Sequence, residues 1–184
     1  MGKNHTRRVQ KRVVQIMKLV FDATPLIYFG QIGIINKMAE LKDEKIIPAS
    51  VYAEVVEKGK KKGKEDAIFV EKLVAEKLFL IRSAKNDNIE YFMKFKKARK
   101  ADAETLALAK EERAIAVIDE ANLRTIAEMN GIAYAGSIFI LFKLYKESRI
   151  KKHEIKKHID EMIRLGWRCS TELYATALEE IEKL

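Results

Sequence analysis

The chain predicts a three-layer α/β/α domain: a central parallel sheet of four or five strands, helices on both faces, and a C-terminal helical pair. Three observations carry this. Short apolar runs alternate with helix-spaced stretches along the whole length. The strongest run, residues 114–118 (AIAVI), is apolar at every position, as a strand covered on both faces must be. Residues 18–29 (KLVFDATPLIYF) pass from the apolar Leu19, Val20 and Phe21 through Asp22 to the turn-former Pro25. A buried strand that ends and hands over to a helix has this pattern. Asp22 is therefore expected at the carboxyl end of the first strand, the edge where open α/β folds bind ligands. The plainer alternative for a lone aspartate there is a helix cap or turn.

The elements follow in order. Residues 25–33 read as a short helix and turn, and 34–41 have helical spacing. Residues 45–48 (KIIP) form a second strand. Ser50 is placed to cap a helix over 51–58 that carries Glu54 near its start. Residues 58–64 (KGKKKGK) hold five lysines and two glycines and are expected to be a solvated loop. A helix over 65–77, a strand over 78–81 and a helix over 87–100 come next, the last ending in the basic cluster KFKKARK. Asp102 opens an apolar helix through Lys110, where an acid suits the helix dipole. Asp119 and Glu120 end the 114–118 strand. A helix over 121–130, closed by Gly131, leads to a short strand at 132–134. Gly136-Ser137 opens a helix to Tyr145, and 153–165 and 171–183 make the terminal pair.

Composition narrows the class. The 184 residues suit one domain, and 48% hydrophobic content describes a globular chain. The division expected is a basic arm over 1–16 and one domain over 17–184, since Met17 also reads as a natural start. Cys169 is the single cysteine, so neither an intramolecular disulfide nor a thiolate zinc cage can form. A reducing cytoplasm is the expected home. No apolar stretch approaches membrane-span length, and the N-terminus lacks a secretory apolar segment. Of the formal net charge of +9, five charges lie in the arm on Lys3, Arg7, Arg8, Lys11 and Arg12, which leaves +4 for the rest. The body is only mildly basic, so charge alone is weak evidence for a nucleic-acid partner.

Four acidic sites recur at comparable places. Asp22 and Asp119 end buried strands, whereas Glu54 and Asp102 lie at or near helix starts. Their spacing is too wide for a local motif, so only a fold can gather them. Clustered carboxylates repel one another unless a cation joins them. Hard oxygen donors without histidine or cysteine point to Mg²⁺ or Mn²⁺. On a polyanion such ions activate water and stabilise charge developing at phosphorus.

The ordered segments VFDATPLI, IIPASVYAEV, ADAETLALA, AVIDEANLRTIAEMNGI and AGSIFIL resemble the PIN domain family of metal-dependent ribonucleases, most nearly a prokaryotic subgroup related to the VapC-type toxins of toxin–antitoxin pairs. The resemblance covers roughly residues 17–178. It implies that Asp22, Glu54, Asp102 and Asp119 are catalytic, and that Asp22, Asp102 and either Asp119 or Glu120 ligate metal. Thr24, Glu104 and Ser137 match supporting polar positions. The chain departs from the family pattern at Ala101-Asp102, where Gly-Glu is common, at Phe139, where glycine is common, and at Ile118, where threonine is usual. The acids survive all three changes.

The implied activity is endonucleolytic hydrolysis of RNA, with Lys60, Lys61, Lys62, Lys97, Arg99 and Lys100 as contacts to the RNA backbone. The implied partners are RNA, a small antitoxin protein and a second copy of the chain, with Ile34 and Ile35 as candidates for the dimer face. Two other classes compete. A haloacid-dehalogenase-like phosphatase needs a second aspartate two residues after the first, and Thr24 stands there instead. A catalytically weak RNA-binding or scaffold module on the same fold would keep the acids only as residues of its history.

Overall fold

The computed structural model describes residues 16–96 and 98–184. The expected basic arm, except Ile16, and the RNA-contact candidate Lys97 lie outside the described residues. The elements run β1 (Lys18–Phe21), α1 (Ala23–Gln31), α2 (Ile35–Ala39), β2 (Glu44–Pro48), α3 (Ala49–Tyr52), a π-helical turn (Ala53–Glu57), α4 (Lys58–Lys61), α5 (Glu65–Ala75), β3 (Leu80–Arg82), α6 (Asn86–Met93), α7 (Lys100–Glu112), β4 (Ile115–Val117), α8 (Ala121–Met129), β5 (Tyr134–Ala135), α9 (Ser137–Lys146), α10 (Lys152–Arg164) and α11 (Thr171–Glu182).

The strands form one parallel five-stranded sheet in the order β3-β2-β1-β4-β5. β1 lies at the centre, with Leu19 opposite Lys45 of β2 and Phe21 opposite Val117 of β4. The chain steps outward from β1 to β3, then returns to the other side of β1 to place β4. The order therefore reverses between β1 and β4, and ligands of open α/β sheets bind at such a switch point.

Alternation along the strands divides the core in two. Leu19, Phe21, Ile47 and Val117 face α1, α2, α5, α9 and the terminal pair α10–α11. Val20, Ile46, Ala116 and Ile118 face α6, α7 and α8. These layers form the expected α/β/α sandwich. Residues 101–109 of α7 are all buried, and alanine at 103, 107 and 109 lets this helix lie close against β1, β2 and β4.

The structure corrects several local expectations. Residues 58–64 are not simply a loop: helix continues through Lys61, because Gly59 sits against Ala67 of α5 where a Cβ would come within 2.8 Å. The helix expected over 87–100 ends at Met93, and the next starts at Lys100, ahead of Asp102. Ser50 caps nothing; α3 starts at Ala49, directly after Pro48. Ile34 and Ile35 are core residues, 3% and 1% exposed, and so form no surface for a dimer. Among the described residues, no helix is long and apolar enough to cross a membrane.

Candidate active site

β1 ends at the switch point, and Asp22 is its next residue. Its N–H donates to the carbonyl of Val117 at 3.1 Å, so the ladder to β4 continues past the end of β1 and holds Asp22 there. Asp22 occupies the N-cap position of α1, yet its side chain caps nothing. The carboxyl is 0% exposed, and neither oxygen has a hydrogen-bond partner among the described residues. Burial pushes its pKa up to about 7. The nearby Asp102 carboxylate adds to the rise, while the Ala23 amide, near the carboxyl but short of hydrogen-bonding geometry, and the Arg99 guanidinium oppose it. A buried carboxylate without donors is costly in a folded protein, and the cost is met either by a retained proton, as the raised pKa favours, or by a nearby positive charge.

The second group surrounds the start of α7. Asp102, 1% exposed, accepts from the Arg99 N–H at 2.8 Å, which closes the first turn of the helix. The Arg99 guanidinium also donates to Asp102, at 3.3 Å from Nε and 3.0 Å from Nη2. It reaches Glu54 on the π turn at 3.4 Å and Glu120 after β4 at 3.9 Å. Carboxylates from three separate segments thus converge on one arginine, with Asp22 close enough to raise its pKa further.

Asp119, one residue before Glu120, is held differently. Its Oδ1 accepts the Ser137 N–H at 2.8 Å, and its Oδ2 accepts the Ser137 hydroxyl at 2.6 Å and Trp167 Nε1 at 3.0 Å. Arg124 Nη2 lies 3.6 Å from Oδ1, and Arg124 Nε donates to the Ile118 carbonyl. Gly136 makes room for this packing, since a Cβ there would collide with the Arg124 guanidinium. Asp119 fastens β4, α9 and the segment after α10 to one another. Glu104 plays a similar part between α7 and α3, accepting the Ser50 N–H at 2.8 Å. Thr24 is half-buried in the first turn of α1.

A groove of about 650 Å³ meets the site at Glu54 and Arg99 and is lined by Lys58, Lys62, Lys64 and Lys100 among others. Of the expected RNA contacts, Lys62, Arg99 and Lys100 therefore border it. Lys60 instead pairs with Glu71 at 2.7 Å, and Lys61 is exposed on α4 without lining the groove. Lys58 and Lys64, at the two ends of the lysine-rich segment, also border the groove, whereas sequence reasoning missed Arg99 as the hub of the acids and Arg124 and Trp167 as partners of Asp119. Trp167 lies 48 residues from Asp119, so no local signal links them.

The PIN domain family matches residues 18–183. The chain belongs to that family. No curated protein matches the chain. PIN domains are generally nucleases and typically use divalent metal ions. Among the described residues no three acids stand close enough together to form a ready-made metal cage. The donor set still fits a hard cation: all its members are carboxylates, both Asp22 oxygens are unpartnered, and three of the other acids already share one positive charge.

Proposed function

We propose that this PIN domain is an endoribonuclease that hydrolyses RNA phosphodiesters with Mg²⁺ or Mn²⁺. The observation that carries the reading is Asp22, buried at the switch point with two orphaned carboxylate oxygens and close to the acids around Arg99. Asp22 and Asp102 would hold the ion, with Glu120 and Glu54 beside them. The ion, when bound, supplies an activated water and neutralises charge on the phosphoryl oxygens. Asp119, with its oxygens already engaged, acts as a positioning residue: it keeps the end of β4 in place and so aims Glu120. Glu104 likewise holds the start of α3, the helix that leads into the π turn carrying Glu54. Lys58, Lys62, Lys64 and Lys100 line the path for the strand and hold phosphates without reading sequence.

The test is cleavage of a labelled single-stranded RNA. Activity is expected with Mn²⁺ or Mg²⁺, lost with EDTA and restored by excess Mn²⁺. Undiminished cleavage in EDTA would overturn the metal-dependent mechanism. A second reading, a catalytically silent RNA-binding PIN module, is favoured by Arg99, which supplies the acids with a permanent counter-charge. That reading predicts RNA binding without cleavage in every metal.

The VapC-type role and a small antitoxin partner rest on the sequence resemblance, and the cytoplasmic setting rests on the single cysteine. A small reading frame next to the gene is the observation that bears on the toxin role. A homodimer is part of the same proposal, and light scattering showing a monomer at high concentration would remove it.

A further inference from the structure

We propose that Arg99 is a resident counter-ion of the acidic site, which a divalent cation must displace from the carboxylates in order to bind. The proposal deepens the nuclease reading and rests on it for the metal. The guanidinium contacts both oxygens of Asp102 and reaches Glu54 and Glu120. An ion bound through Asp102 at about 2 Å would stand beside the guanidinium, where two like charges repel. Asp22 adds the independent observation: a fully buried carboxylate with no donor, left unmatched while Arg99 serves the others.

The local geometry suits a side chain that can leave. Arg99 has two separate links to Asp102, and the backbone link, its own N–H to Oδ2 at 2.8 Å, does not depend on the guanidinium. The cap of α7 therefore survives when the side chain moves. That side chain is 55% exposed and already borders the lysine-lined groove, so its way out is open. Its pairs with Glu54 and Glu120 are exposed, long and individually weak, so the two-pronged contact with buried Asp102 is the one a divalent cation has to replace. In the metal-free protein Arg99 screens acids that would otherwise repel one another, and metal occupancy becomes a competition between two cations for one set of ligands.

The experiment is calorimetric titration of Mn²⁺ into wild-type, Arg99→Gln and Arg99→Lys protein, with circular dichroism and thermal melts of each. Arg99→Gln is expected to bind Mn²⁺ roughly tenfold more tightly, since removing one positive charge from beside the carboxylates is worth at least about that factor. It should melt earlier than wild type without metal and gain more from Mn²⁺. Arg99→Lys, which keeps the charge but not the fork, should fall between, and it serves if Arg99→Gln fails to fold. Mn²⁺ affinity unchanged or weaker in the folded variants overturns the proposal and leaves the nuclease reading standing. If neither wild type nor variant binds Mn²⁺, both fall. If Arg99→Gln binds Mn²⁺ tightly but no protein cleaves RNA, the nuclease reading falls and the displacement proposal stands.

Discussion

Asp22 and Asp119 end neighbouring central strands of one parallel sheet, yet one carboxylate is bare and the other is wrapped. Asp22 has no donor on either oxygen. Asp119 accepts from the Ser137 backbone, the Ser137 hydroxyl and the Trp167 indole, with Arg124 alongside. The difference comes from the segment after each strand. After β1 the chain turns at once into α1, and Asp22 is fully buried there. After β4 it runs through Ile118, Asp119 and Glu120 before α8, and the start of α9 and the Trp167 segment pack onto Asp119. A donor-rich setting makes a carboxylate a structural clamp, whereas a donor-poor one leaves its buried charge uncompensated and raises its pKa. Position at the sheet edge is thus not enough to assign a role.

Substitution sharpens the contrast. The largest effect is expected in cleavage: Asp22→Asn keeps the shape but removes a ligand charge, and should lower kcat by about three orders of magnitude or more with the fold intact. Wild-type rates in that variant would remove Asp22 from the chemistry.

Stability should move the other way. Because the folded pKa of Asp22 is raised, from 3.8 to about 7, its contribution is fully favourable only below the unfolded value and is lost as pH rises between the two. The metal-free protein should therefore weaken between about pH 4 and pH 7, by on the order of 4 kcal/mol at most. Asp22→Asn should flatten that slope and be the more stable protein at pH 8. Urea titrations across this range with EDTA present give the comparison, and a slope that survives in Asp22→Asn would assign it to other groups.

Asp119→Ala should behave in the opposite sense at pH 8. It strands the Ser137 and Trp167 donors and leaves Arg124 without its carboxylate, costing about 2–4 kcal/mol. Trp167 is the chain's single tryptophan, so its fluorescence reports the change directly. Unaltered emission and stability would mean that Asp119 clamps nothing.

The smallest effect separates two lysines on α4 and the turn after it. Lys62→Ala should weaken RNA binding and reduce its salt slope by about 0.7. Lys60→Ala, whose partner is Glu71 outside the groove, should leave the slope unchanged. Equal slopes for both would mean the groove is not the RNA path.

The layers of the fold were legible because burial on both faces forces continuous apolar strands, and 114–118 and 19–21 could hardly be read otherwise. The boundaries were harder. Lys58–Lys61 stays helical because Gly59 fits against Ala67, a contact with α5 that a lysine-rich tract does not advertise. Ile34 and Ile35 look the same in sequence whether they face a partner or the core, and packing under α1 and α9 settled them as core.

The acids show the same division. Local sequence was sufficient to place Asp22, Asp102, Asp119 and Glu120 at strand ends and a helix start, since apolar period and turn chemistry act over a few residues. Which of Asp119 and Glu120 faces the other acids was undecidable there, because adjacent side chains diverge and their surroundings come from elsewhere. Only the assembled fold brought Trp167 and Ser137 to Asp119 and left Glu120 to Arg99. Hydrogen-bond partners are set by distance in space, and these donors lie 18 and 48 residues away along the chain.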